Sequence, residues 1–275
     1  MTALMTTFVA PSASAPTGRA RQFRDVVRAE FYKLCSVRST FWTLAAAVVF
    51  NVVIAGLAAV FIPPHLSPAE VAKTDAIRLS LAGLHLSQIA IGVLGALIIT
   101  SEYGTGSIRT TFAAVPQRRV VLAAKTLVFT AVAMLVGLLS SFGAYETFHE
   151  FLSGDRLRSS LSDPGVLRAV CGGGLYLAAL GIFGLGLGTI LRSSSGAIAT
   201  LFGILFVPQI LIGLLPNSWQ STVGPYLPMQ AGSDIFIANR PEAGSLGPWV
   251  GFTVFTMYAV VALVIGFVLI SRRDA

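Results

Sequence analysis

Polar and apolar positions along this chain fall into long blocks rather than short alternations. Mainly apolar runs occupy 41–62, 79–100, 120–144, 169–191, 196–215 and 249–270. A helix rises about 1.5 Å per residue, so about 20 residues cross a hydrocarbon core roughly 30 Å thick. Every backbone donor inside such a core must be paired within its own segment, so the runs predict helices rather than strands. The expected fold class is an all-α membrane protein with six transmembrane helices.

Two shorter stretches carry a helical period outside these runs. In "RQFRDVVRAEFYKLCSVRSTFW", Phe23, Val26, Val27, Phe31 and Leu34 fall on one face, and Arg21, Arg24, Arg28 and Lys33 lie largely off it. A basic amphipathic helix leading directly into a spanning helix is expected to lie flat at a membrane interface. Glu30 breaks the pattern by pointing into the apolar stripe. It either snorkels or pairs with Lys33 at i+3, or it faces a protein partner. In "SEYGTGSIRTTFAAVPQRR" (101–119), Gly104 and Gly106 can break the second span and Ser107 can cap a new helix. Ile108, Phe112 and Val115 share one side of that helix, and Pro116 ends it. Glu102 stands where span turns into short helix, with Arg109 nearby and Arg118 and Arg119 beyond. An ion pair of Glu102 is expected to tie the span to the short helix.

Composition agrees with the pattern. The chain has 275 residues, 55% hydrophobic and 11% charged, with a mean hydropathy of +0.79. Soluble domains carry about 25% charged residues, so a lipid bilayer is the expected surrounding. Residues 1–20 are rich in Ala, Ser, Thr and Pro without sustained period, and lack the basic region and long apolar core of a secretory signal. A disordered tail is expected there, followed by one six-helix domain over 21–275. Cys35 and Cys171 make no disulfide framework.

Charge sets the expected orientation. With the N-terminus inside, the inner segments hold Arg19, Arg21, Arg24, Arg28, Lys33, Arg38, Arg109, Arg118, Arg119, Lys125, Arg192, Arg272 and Arg273. The outer segments hold only Lys73, Arg78, Arg156, Arg158, Arg168 and Arg240. Basic residues mark the cytoplasmic side, so both termini are expected in the cytoplasm. The outer segment 216–248 mixes Trp219, Tyr226 and Phe236 with helix breakers. It is either a lid at the outer interface or an ordinary solvated loop.

The stretches "RAEFYKLCSVRSTFWTL" (28–44), "SEYGTGSIRTTFAAVPQRRVVLAAK" (101–125) and "GTILRSSSGAIAT" (188–200) resemble membrane subunits of type-2 ATP-binding-cassette (ABC) transporters. The resemblance spans roughly residues 20–273. It implies a permease that works as an exporter in a cell membrane, the bacterial plasma membrane being expected. It implies a separate ATPase subunit as partner, with ATP and Mg bound there and no cofactor on this chain. It further implies a second copy, or a related permease, with the transport path between the two. By the same resemblance, residues 23–38 would be a connecting helix touching the ATPase through Glu30, Phe31, Lys33 and Arg38. Residues 107–115 would be a coupling helix, touching it through Glu102, Ile108, Arg109, Phe112 and Val115.

The residues themselves weigh against catalysis. A phosphate-cradling loop needs G-x-x-x-x-G-K-[ST], and the chain contains no Gly-Lys dipeptide. "SSSG" at 193–196 superficially looks like a nucleophile for an intramembrane hydrolase. By this topology, however, His65, His85 and His149 all lie on the opposite side, out of reach. An ion channel or secondary carrier is the stronger rival. Coupled carriers place ionisable groups at mid-depth, whereas the polar candidates here for a path are Asn51, His85, Gln88 and Gln209. Pro208 predicts a kink, and Gly184 and Gly188, with Gly181 nearby, predict close helix packing. No nucleic-acid partner is expected.

Overall fold

The structure, a computed structural model, describes residues 18–71, 74–152, 154, 157–238 and 245–273. The expected tail over 1–20 therefore lies almost wholly outside the described residues. Among them there is no strand. Six helices are long and apolar enough to span a membrane: α2 (Arg38–Phe61), α5 (Leu84–Thr105), α7 (Arg118–Phe151), α8 (Val166–Leu191), α9 (Ser194–Ile212) and α12 (Pro248–Arg272). α1 (Arg19–Ser36) precedes the first, and α6 (Ser107–Ala114) joins α5 to α7. Four short helices lie at the opposite end: α3 (Pro68–Val71), α4 (Ala76–Ser80), α10 (Asn217–Val223) and α11 (Pro228–Ser233).

α8 forms the centre, packed against α5, α7 and α12. Its glycines make this possible. A Cβ at Gly188 would come within 2.7 Å of the Ala96 carbonyl oxygen, and one at Gly184 would strike the Gly92 carbonyl. Without side chains there, the backbones of α5 and α8 approach closely, as van der Waals packing between apolar helices requires. Leu177, Leu180 and Leu185 on α8 and Ile91 and Ile99 on α5 are fully buried around this seam.

The outer surface of the bundle is apolar. Phe50, Val53 and Leu57 on α2, Ile210 and Leu211 on α9, and Val261 and Val264 on α12 are all about half exposed or more. In water so large a patch would be a liability; against lipid tails it is the expected exterior. Trp42 stands exposed near one end of this surface and Trp249 near the other, the interfacial placement that Trp favours.

Several boundaries differ from the expected ones. The second span does not begin at 79. Asp75 caps a separate helix, α4, by accepting from the Ile77 and Arg78 backbone N–H groups at 2.9 and 3.2 Å. The chain then turns at Gly83, where a Cβ would lie 2.5 Å from the Asn51 Cα. At its other end α5 runs past Thr100 to Thr105, through Gly104, and only Gly106 breaks it, at φ 73°. Gly106 is also the N-cap of α6, so Ser107 lies inside that helix and does not cap it. α7 continues beyond 144 to Phe151, reaching about 51 Å at 1.5 Å per residue. In this extension Tyr145 Oη donates to the Ser159 carbonyl at 2.7 Å. Pro208 lies inside α9.

The segment 216–248 is no ordinary solvated loop over its described middle. Ala231, Ile235 and Phe236 are buried, and Arg168 of α8 donates to the carbonyls of Ile235, Ile237 and Ala238. The Ala238 N–H in turn donates to Asp75 at 3.0 Å. The described part of this segment, up to Ala238, covers the end of the bundle opposite α1 and α6.

Candidate functional site

α1 lies along α7 and buries Val26, with Phe23, Val27 and Leu34 partly covered. Phe31, expected on that face, is 47% exposed. Glu30 sits in the middle of the buried face at 5% exposure. The apolar period therefore places a carboxylate in a largely buried position, and such a charge needs partners.

It finds them in Lys125 and Lys33. Lys125 Nζ donates to Glu30 Oε2 at 2.6 Å and to Glu102 Oε1 at 2.9 Å. Lys33 Nζ donates to Glu30 Oε1 at 3.0 Å, to Glu102 Oε1 at 3.3 Å and to Thr111 Oγ1 at 3.3 Å. Two carboxylates and two ammonium groups thus form a neutral quartet joining α1, α5 and α7, with Thr111 adding α6. Lys125 is 4% exposed at its side chain, Glu102 12% and Lys33 46%. Burial alone would lower the pKa of Lys33. The charges of Glu30 and Glu102, and its hydrogen bonds to them, outweigh that and hold it above its ordinary value.

The arginines near Glu102 in sequence are not its partners. Arg118 donates to the Arg273 carbonyl at 2.7 Å and Arg119 to Ser271 Oγ at 3.2 Å. Both arginines reach the carboxyl end of α12, and Arg118 takes one of the carbonyls that a helix end leaves unpaired. Arg192 lies over the Tyr103 ring at 4.9 Å. Arg109 is exposed on α6 and Arg38 at the start of α2.

The stripe on α6 also turns inward. Ile108 is 2% and Phe112 9% exposed, both within the core, with Val115 packed partly against it. Arg118 covers the Phe112 ring at 5.3 Å. These side chains hold α6 to the chain itself. What α6 presents outward is Arg109, Thr110, Ala113 and Ala114.

The expected path residues separate into two groups. Asn51 Nδ2 donates to the Ser140 carbonyl and Oγ at 3.1 and 2.9 Å, and Tyr176 Oη donates to Gln88 Oε1. Both are buried packing contacts between helices. His85 and Gln209 instead share the lining of a cavity of about 200 Å³ with Arg78, Gln230 and Phe236, at the end opposite the quartet.

Lys125 and Thr111 were not singled out as site residues from the sequence. The signal for Lys125 was a lone charge inside an apolar run, which demands a partner. A Ser–His pair occurs at the end of α7, with His149 Nε2 3.0 Å from Ser159 Oγ. The same nitrogen accepts the Ser159 backbone N–H at 3.2 Å, so the ring anchors the loop after α7. Among the described residues, no three His, Cys, Asp or Glu side chains gather to hold a metal ion. Neither the models of known protein families nor the curated proteins give a match to this chain.

Proposed function

We propose that the chain is the membrane-spanning subunit of a type-2 ABC exporter, driven by ATP hydrolysed on a separate subunit. The observation that carries this reading is the quartet Glu30–Lys33–Glu102–Lys125. It locks a peripheral helix, two spans and a short exposed helix into one body at the basic end of the bundle. A push on the outward face of α6, Arg109, Thr110 and Ala113, would be passed through Lys33 and Lys125 into α5 and α7. In this reading that end is cytoplasmic, both termini lie inside, and the ATPase docks on α6 and the exposed side of α1, including Phe31 and Arg38.

The placement of charge favours this reading over a secondary carrier. The ionised groups inside α5 and α7 neutralise one another at one end instead of lining a route at mid-depth. The path would run between two such subunits, with the apolar outer faces in contact across it and lipid around them. The cavity holding His85 and Gln209 would open near its outer end.

The test is purification of the tagged chain from its native membrane, with the associated proteins identified by mass spectrometry. A stoichiometric protein carrying a G-x-x-x-x-G-K-[ST] loop, and ATP hydrolysis by the complex but not by the chain alone, is the expected result. A chain that purifies without an ATPase and conducts ions in a planar bilayer would refute it.

A further inference from the structure

A cleft of about 450 Å³ opens beside the quartet, between α1, the start of α2, α5, α6 and α7. Small-molecule sites typically measure about 300–1,000 Å³. Two walls of this one, on α5 and α7, change character in the same direction. On α5 the lining passes from Leu94, Leu97 and Ile98 to Ser101 and Glu102; on α7 it passes from Val128 to Lys125. The apolar side lies toward the middle of the spans and the charged side at their end. From Leu94 to Glu102 the gradient covers about 12 Å at 1.5 Å per residue. One leaflet of a bilayer has the same gradient, headgroup outermost and chain inward.

The charged side has bonding capacity to spare. Glu102 Oε2 is buried with no hydrogen-bond partner. An ammonium has three N–H donors, and Lys125 uses one on Glu30 and one on Glu102. A buried, unused carboxylate oxygen and a buried, unused ammonium proton are both costly. A ligand that brings a donor and an acceptor to this end, and a chain to the other, would satisfy all of it.

We propose that the cleft binds an amphiphile whose headgroup carries a primary ammonium, with its chain laid along Leu94, Leu97, Ile98 and Val128. The headgroup ammonium donates to Glu102. An acceptor beside it, such as a phosphate oxygen, takes the remaining proton of Lys125. A phosphoethanolamine lipid of the surrounding leaflet offers both groups, and a free long-chain amine offers the first. The inference stands apart from the transport reading, because the site lies within one chain and needs no ATPase.

The experiment uses the full chain alone. It is placed in nanodiscs of equal phosphatidylethanolamine, phosphatidylcholine and phosphatidylglycerol, and retained lipid is counted by native mass spectrometry. Phosphatidylcholine has the same phosphate but no N–H, so about tenfold preferential retention of phosphatidylethanolamine is expected from one hydrogen bond to a charged group. Dodecylamine added in detergent separates the sources. Displacement of the lipid shows that an ammonium on a chain is enough, and its failure assigns the site to the lipid. Leu97→Trp, which fills the apolar half and leaves every ion in place, should abolish retention. Glu102→Gln should erase the preference over phosphatidylcholine while leaving chain binding. Equal retention of the three lipids by the wild-type chain, or undiminished retention by a monodisperse Leu97→Trp protein, would overturn the proposal.

Discussion

Lys125→Met should be the most damaging single change in the quartet. Lys125 lies 2.6 Å from Glu30 and 2.9 Å from Glu102, and its side chain is 4% exposed. At an effective dielectric of about 20, each contact is worth about 6 kcal/mol of gross attraction. Desolvation of each ion takes back several kcal/mol, so the net value of the pairing is small. Removing one partner is another matter. It leaves Glu30 and Glu102 facing each other with only Lys33 between them, and Lys33 is 46% exposed. Loss of about 3–5 kcal/mol is expected for a buried charge so stranded. Lys33→Met, at the wetter corner, should cost about 1 kcal/mol or less. The double variant Lys125→Met/Glu30→Gln removes one charge of each sign and leaves Lys33 paired with Glu102. It should recover at least half of the loss, a coupling that a double-mutant cycle reads directly. The assay is reversible unfolding of the purified chain by denaturing detergent, followed by helicity. Equal effects of Lys125→Met and Lys33→Met, or simple additivity in the double variant, would refute the quartet as described.

Further outcomes follow from the same geometry. Single cysteines at Gln117 and Ser195, in a chain lacking Cys35 and Cys171, should resist an impermeant thiol reagent on intact cells, while cysteines at Glu150 and Ser218 react; labelling at 117 or 195 would reverse the orientation. Phe112→Ala empties a buried position and should destabilise the chain by about 3–5 kcal/mol, whereas Arg109→Glu should leave stability within about 0.5 kcal/mol and weaken ATPase co-purification; the opposite pattern would make the apolar stripe the docking face. The raised pKa of Lys33 gives a pH signature of known sign. Its contribution is complete below the ordinary lysine value of 10.5 and is lost as pH climbs from there through the higher folded value. Lys33→Arg, which keeps its charge, should not show that alkaline loss in the same unfolding assay, and an unchanged profile would count against the contact.

The six spans were legible because each is a run that only a nonpolar solvent can accommodate. The turn into α6 was legible too, since Gly106 and Pro116 bracket eight helical residues. What α6 packs against was not. A stripe of Ile108 and Phe112 declares that one face must be buried, but the same stripe fits a partner or the chain's own core. Glu30 was visible as a charge out of pattern, and Lys33 at i+3 as one possible partner. Its second partner, Lys125, is 95 residues away, a pairing that only the tertiary fold creates. Lys125 counted from the sequence as a topological charge, when its place inside an apolar run already required a buried counter-ion. The arginines misled for the opposite reason. Arg118 and Arg119 are close to Glu102 in sequence, yet the Arg273 carbonyl and the Ser271 hydroxyl at the end of α12 hold them. At the other end, Asp75 before an apolar pair was a readable helix cap that the continuous apolar run concealed.

Site-specific photo-crosslinking tests most directly whether α6 receives force from an ATPase. A photoreactive amino acid is placed at Ala113, on the outward face of α6, and at Leu135, 58% exposed on the flank of α7. After irradiation of native membranes, adducts of the chain are identified by mass spectrometry. An ATPase carrying a phosphate loop, attached through position 113 and not through 135, is the expected result. Position 113 yielding only lipid adducts, or the same adducts as 135, would contradict it.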